Sequence, residues 1–485
     1  MRRRQGPGSR QAVALLLLSG LATSDCAQPA PEAARHRGPI VLVTFEGLRE
    51  DAVSGLGGDP ALTPRFRELL GRPTTWGGRG IASSSCSEAS AATLLTGLQP
   101  WLHQVLAPGI GELPSGVRSL AEALKAAGYR TIGFGSNREV RLGLSRGFDE
   151  FGDVGKGWPA AARLSRLTGG RDFVWIHLPE PRAPYVRRDW LLGRLVDAPA
   201  RLPARLTQAQ VDGLLESSAA DPGVHRMLWA MYRLNAAWAD DLLGRLLDAL
   251  AASGQRDRTL LAVTSLRGED FGPGRFGGRD GGLGRQMLEV PLAIELPLGG
   301  RGRIAEPSDR PVGLARLWAT IAEAAGADVP PAAAPSLFRA SGPAILSELY
   351  GGSDGKNRFS LVSGSDQLLW EVPFAPAGAP EAALEAGFAA MPPLTGGPAG
   401  QPALRLLRWG PVGSRPVGDP ARMRALAARL AFAWRRFVPE ELSPAAEARL
   451  RGVPSRFRSE PGAILPSRPA GVTRVHSSAV RATGS

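Results

Sequence analysis

Between Pro39 and Leu296 the chain repeatedly sets a short β-branched run beside a stretch of helical periodicity, and this alternation restricts the fold more than any other feature. The run Ile40-Val41-Leu42-Val43-Thr44-Phe45 has no polar face, as a strand buried on both sides requires. Thr131 to Phe134, Phe173 to Leu178, Thr259 to Ser265 and Val290 to Leu296 read as further strands. Ser119 to Gly128 carries alanine and leucine at helical spacing and closes on a glycine suited to the C′ position. From Gly223 to Ala252 a longer helix is predicted, because Met227, Met231, Leu234, Trp238, Leu242 and Leu246 fall on one stripe. Strands alternating with helices specify an α/β fold: a large, mainly parallel sheet with helices on both faces.

After Leu298 the pattern changes. Val312 to Ala325 reads as a helix, and Arg358 to Val362 with Gln367 to Trp370 as paired strands, together implying a small C-terminal α+β subdomain. The expected organisation is a leader at 1–26, a linker at 27–38, an α/β domain at 39–298 and a C-terminal part at 299–437 that completes the fold. A basic, disordered tail follows at 438–485. Residues 376–400, rich in proline, alanine and glycine, read as an irregular insertion, and 419–437 as helical.

A formal net charge of +13 raises nucleic acid as a partner, since clustered cations release counterions from phosphates. Here the charge is dispersed. Lys125, Lys156 and Lys356 are the lysines, and the arginines are scattered among alanine, glycine and proline, with no basic and aromatic stripe. No specific nucleic-acid partner is expected.

Arg2, Arg3 and Arg4 precede an apolar run from Ala12 to Ala22, long enough for a signal segment and short for a bilayer span. Export to a bacterial envelope or periplasm is the expectation. Cys26, followed by Gln28-Pro29-Ala30-Pro31, is placed like a lipidated cysteine, although Asp25 departs from the usual preceding residue. Lipid anchoring through Cys26 and simple cleavage nearby both stay open. Cys86 then has no partner cysteine, so no disulfide framework is implied.

Several segments, taken in order, resemble the sulfatase family of the alkaline phosphatase superfamily. Val41 to Asp51 is similar to its opening strand and metal-binding turn, and Ser87-Glu88-Ala89-Ser90-Ala91-Ala92-Thr93-Leu94-Leu95-Thr96-Gly97 to its nucleophile motif. Leu120 to Asp153 resembles the following helix, strand and loop, Glu180 to Tyr185 the Asp-Pro-His-x-Pro-Tyr loop, Thr264 to Glu269 a Thr-Ser-Asp-His-Gly-Glu motif, and Glu289 to Leu292 a later Arg-Val-Pro strand. The resemblance spans residues 39 to 437 and implies an alkaline-phosphatase-like fold.

It also implies a divalent cation, usually calcium, held by hard oxygen ligands at Glu46, at or beside Gly47, and at Leu266 and Arg267. Of these only Glu46 is a ligand for such an ion. Leu266 has no donor atom, and Arg267 puts a permanent cation where the metal would sit. Ser87 stands at the nucleophile position, but Ala91 replaces the arginine that maturation to formylglycine requires, and Arg182 replaces the loop histidine. A metal-free, degenerate member is therefore expected, binding an anionic group (a sulfate- or phosphate-bearing small molecule or glycan) or a protein partner. The alternative is an active sulfuric or phosphoric ester hydrolase using Ser87 in an atypical site, with calcium as its cofactor.

Two readings of Glu46 remain: a turn carboxylate bonded to backbone amides, or an ion pair with Arg267 in the metal's place. Arg182 and Arg267 are candidate anion-binding residues, since arginine forks match sulfate and phosphate oxygens and Ser87 opens a helix. Equally, they could only neutralise Glu46, Glu88 and Glu180. His177, in a buried strand, and His103 are read as structural.

Overall fold

The computed structural model describes residues 36–108, 111–155, 157–217, 221–271, 282–300, 303–330, 333–340, 344–350, 356–373, 403–410, 413–419, 421–423, 425–427 and 429–430. The expected leader at 1–26 with Cys26, the 376–400 insertion and the tail at 438–485 lie outside these.

In chain order the first half builds β1 (Ile40–Glu46), α1 (Pro64–Leu70), β2 (Thr75–Ile81), α2 (Ser87–Thr96), α3 (Pro100–His103), α4 (Leu120–Ala126), β3 (Arg130–Gly135), α5 (Asn137–Arg141), β4 (Glu150–Asp153) and α6 (Trp158–Leu164). There follow β5 (Asp172–Pro181), the short pair β6 (Tyr185–Val186) and β7 (Arg205–Leu206), α7 (Gln208–Ser217), α8 (Pro222–Ala252), β8 (Leu260–Ser265), α9 (Arg285–Leu288), β9 (Glu289–Glu295), β10 (Val312–Gly313) and α10 (Arg316–Ala325). Eight of the strands form one sheet, ordered β10-β2-β9-β8-β1-β5-β3-β4. β1 lies at its heart, parallel to both β5 and β8, and β3 runs parallel to β5 and β4. β9 runs antiparallel to β8 and β2, which makes the sheet mainly but not wholly parallel.

The central strand shows why an unbroken apolar run suits this place. Ile40 and Leu42 point into a core with α2, α4 and α10, while Val41, Val43 and Phe45 point into a second core with α1, α6 and α8. All five are essentially inaccessible to solvent. Each face buried this way contributes roughly 25 cal/mol per Å² of apolar surface, so both layers of helices are held by the same strand. α4 starts on a capping box in which Ser119 Oγ accepts from the Glu122 amide and Glu122 Oε2 accepts from the Ser119 amide.

The segment after Leu298 differs from the sequence expectation at one point. Val312 and Gly313 are a strand beside β2, not the first turn of a helix, and the helix starts only at Arg316. A β-branched residue and a glycine are poor helix starters, and pairing with the open edge of β2 satisfies their backbone instead. The expected hairpin is present as β12 (Lys356–Ser363) and β13 (Asp366–Pro373), preceded by β11 (Ile345–Leu349) and followed by β14 (Ala403–Gly410) and β15 (Gly413–Pro416) in a second, antiparallel five-stranded sheet. β11 ties this sheet to the first: the Glu348 amide donates to the Ser83 carbonyl at 2.8 Å, and Ser347 Oγ to the Ala82 carbonyl at 2.7 Å. Among the described residues no helix is long and apolar enough to cross a membrane.

Candidate functional site

Parallel α/β sheets present their carboxyl ends as a crevice, and the resemblance-based residues converge on that edge. Glu46 ends β1, Arg182 follows β5, Arg267 follows β8, and Ser87 begins α2. The chain leaves β1 through Gly47, whose φ of +91° is open to glycine at little cost. Tyr232 of α8 fixes that turn, its hydroxyl donating to the Gly47 carbonyl at 2.9 Å and accepting from the Arg49 amide at 2.8 Å.

At the centre stands the hydroxyl of Ser87, a residue only 5% exposed. It donates to Glu46 Oε1 at 2.8 Å and accepts from Arg267 Nε at 3.0 Å. Among the described residues Glu46 and Arg267 form no direct ion pair. The expected pairing is instead relayed through serine, which keeps carboxylate and guanidinium within about 6 Å, near enough for each to influence the other strongly. Glu46 Oε1 takes its direct cation from Arg182 at 3.0 Å and a longer contact from Arg138 at 3.4 Å. Arg267, whose side chain is 1% exposed, donates from Nη1 to the Gly268 carbonyl at 2.7 Å and lies 3.4 Å from Glu269 Oε1. Leu266 is packed in the core.

Burial alone would raise the Glu46 carboxyl. Arg182 first, then Arg267, Arg138 and His177, outweigh it and hold the group at about 2. Glu269 goes the other way: burial raises it, with Arg267 opposing. Glu46 is therefore held ionised and accepts the Ser87 hydrogen bond as a carboxylate. The serine oxygen meanwhile spends a lone pair on Arg267. The hydroxyl is thereby held in one orientation between a carboxylate and a guanidinium.

His177 Nδ1 lies 3.1 Å from Thr44 Oγ1, which also accepts from Trp175 Nε1 at 3.1 Å, and His177 Nε2 faces Glu46 Oε2 at 3.9 Å. His103 is buried on Thr93 Oγ1 at 3.0 Å. Cys86 Sγ donates to Glu88 Oε2 at 3.3 Å.

Arg138 belongs to this cluster although the family-like segment that contains it, Leu120 to Asp153, does not mark it as a site residue. Its one legible signal is the Ser136–Glu139 capping box, which starts α5 immediately beyond the carboxyl end of β3 and so on the site-bearing edge. Glu269 was legible only as part of a motif, and its approach to Arg267 is a product of the fold.

The donor set does not fit a hard divalent cation. Among the described residues no three histidine, cysteine, aspartate or glutamate side chains gather as a metal site would need. The one carboxylate at the expected place is committed to Ser87 and Arg182, and the neighbouring ligand positions carry an alkyl group and a guanidinium.

Strand order, helices on both faces and a polar cluster at the carboxyl edge define an alkaline-phosphatase-like α/β protein. Residues 39–160 match the sulfatase family model, and this segment is sulfatase-related, as the motifs imply. Comparison with curated proteins yields no match. Among solved structures, a sulfatase described as putative from Bacteroides thetaiotaomicron aligns with a TM-score of 0.62 and 17% identity over 88% of this chain and 99% of that one. A structure solved in complex with its substrate D-glucosamine-2-N,6-O-disulfate aligns at 0.55 and 15% identity, covering 69% and 88% of the two chains. The phosphonate monoester hydrolase of Silicibacter pomeroyi aligns at 0.55 and 18%, covering 82% and 94%. At such identities these likenesses establish the shared fold.

Proposed function

We propose that this chain is a degenerate sulfatase-fold protein that binds a sulfate- or phosphate-bearing group without hydrolysing it. The observation that carries the reading is the Ser87 hydroxyl held between Glu46 and Arg267. In this reading the guanidinium stands in for the missing cation, and the serine that would attack is kept as a structural bridge. Arg138 and Arg182, with 26% and 15% of their side chains exposed, supply donors to ligand oxygens, while Arg267 works from within. The solved relative that holds a disulfated glucosamine makes a sulfated sugar the first ligand to try. Export to the envelope or periplasm, with Cys26 as a lipid-bearing residue, belongs to the same proposal and rests on the leader pattern.

The deciding experiment combines metal analysis of the purified protein with turnover of aryl sulfate and aryl phosphate esters by the native chain and by Ser87→Ala. Neither bound metal nor Ser87-dependent turnover is expected. Stoichiometric calcium together with turnover that disappears in Ser87→Ala would establish the competing reading of an active ester hydrolase.

A further inference from the structure

Three guanidiniums gather around Glu46 and Ser87, and they are not equally committed. Arg267 is buried and bonded to Ser87 and Gly268, and Arg182 makes a 3.0 Å contact with Glu46. Arg138 is the most exposed of the three, and its ion contacts to Glu46 and Glu88 are both 3.4 Å. Glu88 lies in the first turn of α2, where helix amides favour negative charge, and its side chain is 10% exposed. One carboxylate oxygen faces Arg138, and the other accepts from the Cys86 thiol at 3.3 Å. A carboxylate in the first turn of a helix, reached by Arg138 Nη1, which Glu46 shares, engages a donor that a sulfate or phosphate ester would seek.

We propose that Glu88 is a built-in competitor for the anion site, its carboxylate occupying the place between α2 and Arg138 that a ligand oxyanion must take. The inference deepens the anion-binding reading above and rests on it. Glu46 does not play this part, because it stays engaged with Arg182 and Ser87 when Arg138 turns to a ligand. Among the described residues Glu88 has no such second cation. It therefore sets the threshold for occupancy: a ligand must displace or outcompete it, and a variant lacking its charge should bind more readily.

The test uses the full chain and two probes, inorganic sulfate and glucosamine 6-sulfate, titrated calorimetrically into the native protein, Glu88→Gln, Arg138→Gln and the double variant. Circular dichroism and thermal melting verify that each is folded. Gln keeps an acceptor for the Cys86 thiol while removing the charge, so affinity should tighten about tenfold or more, the scale of one unit charge near a partly buried site. The gain should vanish in the Glu88→Gln/Arg138→Gln double variant. Equal, measurable binding by the native chain and Glu88→Gln would overturn the role of Glu88 and leave the anion-binding reading standing, as would a gain that survives the loss of Arg138. No binding by any folded variant would remove both.

Discussion

Replacing Glu348 with glutamine tests the junction between the two sheets. The carboxyl is buried on β11, where Oε2 accepts from the Tyr350 hydroxyl at 2.9 Å and from the Trp101 amide at 3.2 Å. Burial raises its pKa from the ordinary 4.5 to about 7, with those two donors pulling the other way. Below the unfolded value both states carry the proton and the group is neutral in its effect. As pH climbs from 4.5 through 7 the unfolded chain releases the proton first, and stability falls. Above that window the folded state bears the whole cost of an ionised buried carboxylate, about 3 kcal/mol at 1.36 kcal/mol per pKa unit. Glutamine retains an acceptor for both donors and cannot ionise. Urea denaturation should therefore find Glu348→Gln close to the native chain at pH 5 and more stable than it at pH 8.5, by an amount approaching that figure. A difference between the two proteins that is the same at both pH values would refute the reasoning, since packing changes carry no pH dependence.

The buried His103 should act with the opposite sign: burial lowers its pKa from 6.5 to about 3, so stability is lost as pH falls below 6.5 and the unfolded chain takes up the proton. His103→Gln should flatten the acid limb of stability between pH 6.5 and 4 in the same denaturation series. Arg267→Met should destabilise the protein by about 3 kcal/mol, the usual cost of stranding a buried charge, because Glu269 loses its facing cation and Ser87 its donor. A loss under about 1 kcal/mol in the denaturation midpoint would mean that Arg267 is not the pocket's internal cation.

The strands most legible in the sequence were those buried on both faces. β1 and β5 announce themselves by runs that are apolar save for Thr44 and His177, and the positions of Glu46, at the end of β1, and Arg182, just after β5, follow from them. β2 was missed because Gly77, Gly78 and Gly80 give it almost no side-chain pattern; its place is set by the neighbours that close on those glycines. The site was legible as a list of positions but not as a set of bonds. That Ser87 separates Glu46 from Arg267 depends on where three chain segments end in space, and spacing along the chain does not encode that distance. Arg138 escaped for the same reason: it sits in the first turn of α5, whose only sequence mark is its cap.

The serine bridge also bears on how such a site changes over time. With Glu46, Ser87 and Arg267 satisfying one another, any single return toward metal chemistry starts uphill. Losing Arg267 strands acidic groups in the interior, and acquiring an aspartate at Leu266 places another carboxylate among apolar neighbours with no ion yet able to sit beside it. If the guanidinium stands in for a cation as proposed, both substitutions have to arrive together before either is useful, and the exchange works as a ratchet.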